Sequence, residues 1–568
     1  MSILDWIVLF GTLGAIAAYG MYQTRGQKNL DSYLRGRNSM NWWTIGLSIM
    51  ATQASAITFL STPGQAYESG MGFIQFYFGL PLAMIIISVA FIPIYYRLKV
   101  YTAYEYLESR FDLKTRTLAA LLFIIQRGLA AGITIYAPAI ILSTLLGWNL
   151  TWTVVFIGAV VILYTVSGGT AAVSITQKQQ MAVMMGGMIL AGIIVVQLLP
   201  VSFGDALHIA GKMEKLNLVD FEFDPSDRYN VWSGMTAAVF LFLSYFGTDQ
   251  SQVQRYLSGQ TLSQSRMGLI MNGFLKVPMQ FIILFIGVMV FVFYQFYQPP
   301  VVFNTVQIEK LQQSNLASEF EELQSNFGEN FEKSKQAYQD LIVAIDAEDS
   351  EKESQIKAGI FQLKAEQEKI REEVKELIVR NDPVAETRDT DYVFMRFVMD
   401  HLPTGIVGLL FAVIFSAAMS SSASELNSLG STTTIDLYKR SIRPQEKDHH
   451  YVLSSKLFTA FWGGSAIIFA LYASLFENLI QAVNLLGSLF YGTILGIFLV
   501  GFFMKWIKGS AVFLGALLSQ LLILLVHFKN GEGVGGFSWD IGFLWYNAIG
   551  CLSVMLFAAI IQLFKKSS

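Results

Sequence analysis

The chain has 568 residues, of which 53% are hydrophobic and only 14% charged, and its mean hydropathy is +0.48. A soluble domain cannot cover that much apolar surface, so a lipid bilayer is the expected solvent. A formal net charge of −3 offers nothing to nucleic acid, and a single cysteine, Cys551, excludes an intrachain disulfide.

Residues 3–22 are apolar, carry Asp5 and lack a basic leader, so they read as a retained membrane helix and not a signal peptide. A crossing takes about 20 apolar residues. Candidate spans follow at 41–66, 73–97, 117–146, 150–167, 179–199, 231–254, 267–297, 402–422, 452–474, 478–504, 510–528 and 541–564, thirteen in all with the first. Basic residues are retained on the cytoplasmic side. They cluster at one parity of loop: Arg25, Lys28, Arg35 and Arg37; Arg97, Lys99, Arg110, Lys114 and Arg116; Lys178, Arg255 and Arg266; Lys439, Arg440, Arg443 and Lys447; Lys505 and Lys508; Lys565 and Lys566. The N-terminus is therefore expected outside and the C-terminus inside, consistent with an odd number of spans. The setting is a plasma membrane (for a Gram-negative cell, the inner membrane).

Residues 301–400 break the pattern, with 12 Lys and Arg against 22 Asp and Glu. Leu311–Phe327 and Ile356–Val379 place apolar residues at helical spacing, and Asp346–Ser350 resembles a turn. The expectation is an extracytoplasmic helical hairpin, serving as a lid, a substrate antenna or a docking arm for a partner or a second copy through 305–385. An elaborated loop packing on itself is the plainer reading. The units are then 1–40 (first helix and cytoplasmic loop), 41–297, the acidic hairpin 298–401, the remaining membrane helices 402–505, and C-terminal helices 506–568.

Two stretches at membrane depth are polar. Leu47–Gly64 is rich in Ala, Ser, Thr and Gln and ends at Pro63-Gly64. It suits either an interrupted helix whose bared carbonyls face a cavity or ion, or a seam of close helix packing. In Ala412–Tyr438, Ala417, Ser420 and Ser421 fall near one another on a helix. They offer neutral oxygens that suit a sodium ion and hold no proton near neutral pH; a packing seam is again the alternative. Arg127, Asp249, Lys276 and Glu425 are charged residues within or near spans, each costly on the order of 3 kcal/mol if unpaired. Arg127 suits a carboxylate clamp or a structural pair with Asp249 or Glu425, and Lys276 could snorkel to the surface.

These motifs, in order, carry a resemblance: Asp31-Ser-Tyr-Leu with Arg35 and Arg37; Thr102-Ala-Tyr-Glu-Tyr-Leu with Arg110-Phe111; Gly168-Gly169; Gln250 to Arg255; and Ala423-Ser-Glu-Leu-Asn-Ser leading to Asp436-Leu-Tyr-Lys. The chain resembles the sodium:solute symporter family over residues 1–297 and 400–540. The resemblance implies an all-α polytopic membrane protein of about thirteen transmembrane helices. Its core would be two inverted repeats of five helices, with the first and sixth core helices discontinuous. The implied sodium ligands are the carbonyls of Ala51, Ala54 and Ala417 and the hydroxyls of Ser420 and Ser421. Some relatives bind an additional sodium through an aspartate; the matching position here is Gln177, so that extra site is not expected. The implied solute contacts are Gln53, Thr58, Tyr77, Arg127, Phe242, Tyr245, Lys276 and Asn484.

The expected activity is sodium-coupled symport of a small organic solute, anionic more than neutral, with Na+ as the coupling ion. Aromatic Tyr77 and Phe242 stand where the sugar-transporting members carry polar or acidic groups. The run from Gly132 to Ala139 resembles the branch that moves iodide, monocarboxylates and vitamins, and Arg127 resembles an arginine of the sialic-acid members. Sodium/sugar symport is the alternative within the fold. A transporter-like sensor acting through a partner is the alternative in another class, weakened by a chain that stops at Lys565-Lys566-Ser-Ser. An enzyme is not expected, because no metal-ligand cluster or nucleophile–base pair is legible.

Overall fold

The computed structural model describes the chain except residues 24–29, 36–38, 384, 386, 388, 473–478, 531, 532, 535, 536, 539 and 568. Arg25, Lys28 and Arg37, used above for orientation, lie outside the described residues. Among the described residues the fold is a helical bundle plus a short two-stranded ladder, Gly533–Val534 with Phe537–Ser538.

Ten described helical segments are long and apolar enough to cross a membrane, and two more, Leu150–Val166 and Ser233–Gly247, are shorter. The number differs from thirteen because some predicted spans are split and others run together. The first of the split spans is Trp42–Gln53 followed by Ala56–Ser69, separated by Ala54 (φ −81°, ψ 79°) and extended Ser55. The second is Ala238–Gly247 followed by Gln250–Leu257, separated at Thr248 and Asp249. Halves of 8 to 14 residues cannot span alone, whereas Ala56–Leu98 runs on as one helical stretch of 43 residues.

The predicted spans 150–167 and 179–199 are one helical run, Leu150–Leu198, kinked at Gly169 (φ 59°, ψ −172°). Only glycine adopts that backbone without strain. A Cβ there would also lie 2.6 Å from the Tyr33 ring. Gly169→Ala should therefore cost on the order of 1–3 kcal/mol and lower the melting temperature of the detergent-solubilised protein; an unchanged melting curve would remove this account of the kink.

The serine-rich helix Ile406–Thr432 is central. It packs on Leu150–Leu198, Leu113–Leu146, Asp448–Ala470 and Ile3–Gln23, and touches both halves of the first split span. Its N-terminus is capped from another helix: Asp5 Oδ1 accepts the N–H of Gly405 (2.6 Å) and of Gly408 (3.1 Å). The approach needs glycine, since a Cβ on Gly408 would lie 2.2 Å from the Asp5 carbonyl oxygen.

The separate sequence motifs meet in space. Asn427 and Gln254 both donate to Thr170 Oγ1, beside the Gly169 kink, and Gln254 also donates to the Leu34 carbonyl. Nearby, Thr102 and Arg116 donate to Asp436, while Gln250 accepts the Ala103 N–H and donates to the Tyr101 carbonyl. One orientation residue behaves differently from a loop cation: Arg255 is fully buried, donating to Ser174 and to Gln254. Helix Gln250–Leu257 carries it inward beneath the break, so it says nothing about sidedness.

The acidic segment forms Thr305–Gln312, Ala317–Asp346, Ser350–Asn381 and Thr390–His401. The hairpin turn falls at 347–349 as expected, but the first arm is longer than Leu311–Phe327. Phe320, Phe327, Val374, Leu377 and Ile378 give the arms their own small core. Tyr338, Leu341 and Ile360 join the main core instead. Lys212–Glu353 and Lys357–Glu214 (3.1 Å) tie the turn end of the hairpin to the bundle.

Candidate solute and sodium site

The break at Ala54–Ser55 lies against the serine-rich helix. Ser420 Oγ donates to the Ala51 carbonyl (2.8 Å), and Ser421 Oγ to the Thr52 carbonyl (3.0 Å). Ala51, Ala54, Ala417, Ser420 and Ser421 are all buried, at 0–2% exposure. The donor set here is neutral oxygen. It suits a hard monovalent ion, because a hydroxyl that donates to a carbonyl can rotate and offer its lone pair instead.

Gln177 enters the same place. Its Nε2 donates to Thr52 Oγ1 (3.0 Å), Ser420 Oγ (3.0 Å), the Ser420 carbonyl (3.1 Å) and Ser424 Oγ (2.7 Å). Its Oε1 accepts from Ser48. Sequence reasoning used Gln177 only to argue a missing ion. The structure makes it the hub between the first split span and the serine-rich helix. In the sequence it stands in the polar run from Thr176 to Gln180, between two predicted spans, so nothing there marked it as buried.

A cavity of about 90 Å³ adjoins this contact, reached by Thr52, Ser55 and Ser421. Seven of the eight expected solute residues line it: Gln53, Thr58, Tyr77, Arg127, Phe242, Tyr245 and Asn484. Tyr77 and Phe242 stack with ring centroids 6.1 Å apart. Lys276 does not line the cavity directly. Its ammonium sits 5.7 Å from the Tyr77 ring centroid, fully buried and without a hydrogen-bond partner among the described residues. It does not snorkel, because its helix, Leu262–Phe293, turns that face onto the bundle.

Arg127 is held by both carboxylates that the sequence offered as alternatives. It pairs with Asp249, donates to Glu425 Oε1 (3.0 Å) and donates to the Tyr491 hydroxyl. Asp249 works twice: Oδ1 caps the second half of the second split span through the Ser251 N–H (2.9 Å), and Oδ2 takes Arg127. Tyr491 and Thr134 also line the cavity and were not legible beforehand, since a tyrosine or threonine in an apolar span has the pattern of packing.

Buried polar atoms ordinarily find partners. Around this cavity several have none among the described residues: Gln53 Oε1, Arg127 Nε, Lys276 Nζ, Glu425 Oε2 and Asn484 Nδ2. Together with two helices broken at mid-bundle, this is the architecture of a multi-pass membrane transporter. The Sodium:solute symporter family profile matches residues 33–328 and 378–520. The chain belongs to that family and is not an enzyme. The match enters the acidic segment on both sides, so within that segment residues 329–377 fall outside it.

The chain is 26% identical over 565 residues to the sodium/sialic acid symporter SiaT of Proteus mirabilis, covering 97% of this chain and 93% of that protein. It is 36% identical over 276 residues to the sodium-coupled monocarboxylate transporter 1 of Xenopus laevis, and 33% identical over 250 residues to the human sodium/iodide cotransporter. Those two alignments cover 48% and 44% of this chain but only 44% and 38% of the relatives, so the chain spans less than half their length there. A solved structure of a Na+-coupled sialic acid symporter, substrate-bound and outward-open, superimposes with a TM-score of 0.76 at 24% identity, covering 99% of this chain and 98% of the other. That likeness concerns the fold.

Proposed function

We propose that this protein couples sodium entry to the uptake of a small organic anion by alternating access, on thirteen spans arranged as two inverted five-helix repeats. The hairpin then lies outside and the C-terminus in the cytoplasm. One observation carries the proposal: Ser421 belongs both to the serine–carbonyl contact and to the cavity wall. Sodium bound by Ala51, Ala54, Ala417, Ser420 and Ser421 pins the first split span to the serine-rich helix. That fixes Gln53 and Thr58, a few residues on, for the solute. Aromatic Tyr77, Phe242 and Tyr245 hold its apolar body. Lys276 and the unpaired Nε of Arg127 meet its carboxylate, which the names of the sialic-acid and monocarboxylate relatives favour. One sodium crossing 100 mV supplies about 2.3 kcal/mol before its concentration gradient is counted.

Uptake into proteoliposomes tests this, with inward sodium or choline gradients and a panel of N-acetylneuraminate, lactate, iodide and glucose. Sodium-dependent accumulation of a carboxylate is expected. Accumulation of glucose alone would replace the anion reading with the sugar one, and uptake indifferent to sodium would reject the coupling.

A further inference from the structure

A second, larger cavity of about 590 Å³ lies between the hairpin and the bundle. Two helices connect it to the solute cavity. Ala56–Ser69 lines the small cavity at Thr58 and the large one from Gly64 to Ser69; seven residues separate Thr58 from Gln65, about 10 Å of helix. Leu479–Phe503 lines the small one at Val483 and Asn484 and the large one at Gln481. Both cavities thus lie along the same two helices, the large one on the hairpin side.

Its walls carry five Lys and Arg against four Asp and Glu, although the hairpin as a whole is strongly acidic. On Ser350–Asn381, half-buried Lys364, Arg371 and Lys375 recur at helical spacing and line the cavity together with the more exposed Glu368 and Glu372, while exposed Glu366 and Glu376 do not line it. Arg371 is answered by Asp389 (3.8 Å) and Lys375 by Glu372 (2.7 Å). Lys364 is different. It has no acidic partner within ion-pair distance among the described residues, and its ammonium stands 4.3 Å from the Phe291 ring centroid. Lys215, from the bundle, reaches the same ring at 4.9 Å and donates to the Glu68 carbonyl. Phe291 continues into Tyr67, Tyr294 and Phe303 as an aromatic floor.

We propose that this chamber is a second, sodium-independent binding site for the transported organic carboxylate, with Lys364 and Lys215 gripping the carboxylate above the Phe291 ring before it descends to the solute cavity. The hairpin supplies Lys364 and the bundle supplies Lys215, so the site exists only with the insertion seated. Lys364 falls within 329–377, the segment the family match omits. Burial first, and then repulsion from Lys215, pull the Lys364 ammonium down to about 7. A carboxylate between the two ammonium groups opposes both effects. The aromatic floor suits the solute's apolar body, and no part of the sodium site takes part.

The proposal rests on the anion reading above, and calorimetry separates the two. Purified protein is titrated with lactate and with N-acetylneuraminate in choline chloride, as wild type, Ser420→Ala, and the double variant Lys215→Gln/Lys364→Gln. Sodium-free binding of one of them should persist in Ser420→Ala and weaken at least tenfold in the double variant, with Lys364→Arg keeping it. In uptake, the double variant should raise the solute KM several-fold and leave half-saturation by sodium unchanged. Absence of sodium-free binding in the wild type, or binding unaltered by the lysine changes, overturns the chamber site whatever the uptake panel shows. Failure of the anion reading appears separately, as wild-type uptake of glucose alone.

Discussion

Ser420→Ala should raise the sodium concentration for half-maximal uptake about tenfold, and Ser421→Ala should do the same or more. A lost hydroxyl contact is worth about 1–1.5 kcal/mol, and 1.4 kcal/mol is a factor of ten in affinity. The fold should tolerate both changes. Without Ser420 Oγ, the Gln177 amide keeps the Ser420 carbonyl, Ser424 and Thr52 as acceptors. Without Ser421 Oγ, only its donations to the Thr52 and Ala51 carbonyls are lost. Ser422 is the internal control. It is equally buried, but its hydroxyl has no partner among the described residues, so Ser422→Ala should leave sodium dependence alone. Sodium titrations of uptake at fixed solute decide the matter. Identical curves for wild type and both serine variants would remove the ion from this contact. Gln177→Ala should behave differently again. It strips several hydrogen bonds from the helix contact, so thermal stability should fall together with uptake.

Arg127→Gln should abolish uptake and sharply reduce folded protein. It strands Asp249 and Glu425, both buried, beside a guanidinium that is gone. Breaking a buried pair by removing one partner costs on the order of 3–5 kcal/mol. Neutralising one of the stranded groups in addition, as Arg127→Gln/Glu425→Gln, should recover part of the folded yield. Asp249→Asn is the less useful companion, because Asp249 also caps the second half of the split span. The recovered double variant then separates two roles. If Arg127 Nε meets the solute, uptake stays lost in well-folded protein. If the recovered protein transports carboxylates with an ordinary KM, Arg127 is a structural tie between the broken helices and Lys276 is left as the cation for the solute. Size-exclusion profiles together with uptake per folded molecule give both readouts.

Much of this molecule is determined by its sequence alone, because a bilayer leaves few choices. Long apolar runs must become helices, since no water is present to satisfy an unpaired backbone. That logic located the membrane segments, the acidic insertion with its turn, and the two polar stretches at membrane depth. The charged residues Arg127, Asp249, Lys276 and Glu425 were also visible, because each is out of place in an apolar run. Resemblance narrowed the residues expected to meet solute and sodium, and seven of the eight expected for the solute line one cavity.

Pairing was not legible. Arg127 had two acidic candidates and takes both, because the second split span breaks at Asp249 just where the serine-rich helix presents Glu425. Asp5 looked like a mark against a signal peptide and proves to cap a helix four hundred residues away. Arg255 counted as a loop cation and is buried. Gln177 stood for an absent ion and instead ties Thr52, Ser420 and Ser424 together. The lysine pair of the larger cavity was hidden inside the most acidic part of the chain, because only the docking of the hairpin brings Lys364 to the Phe291 ring that Lys215 also meets. Local pattern determines which residues are helical and which are misplaced in lipid, because those costs arise residue by residue. Which charge meets which, and which face of an arm closes a cavity, depends on how distant segments cross, and only the tertiary structure decided that.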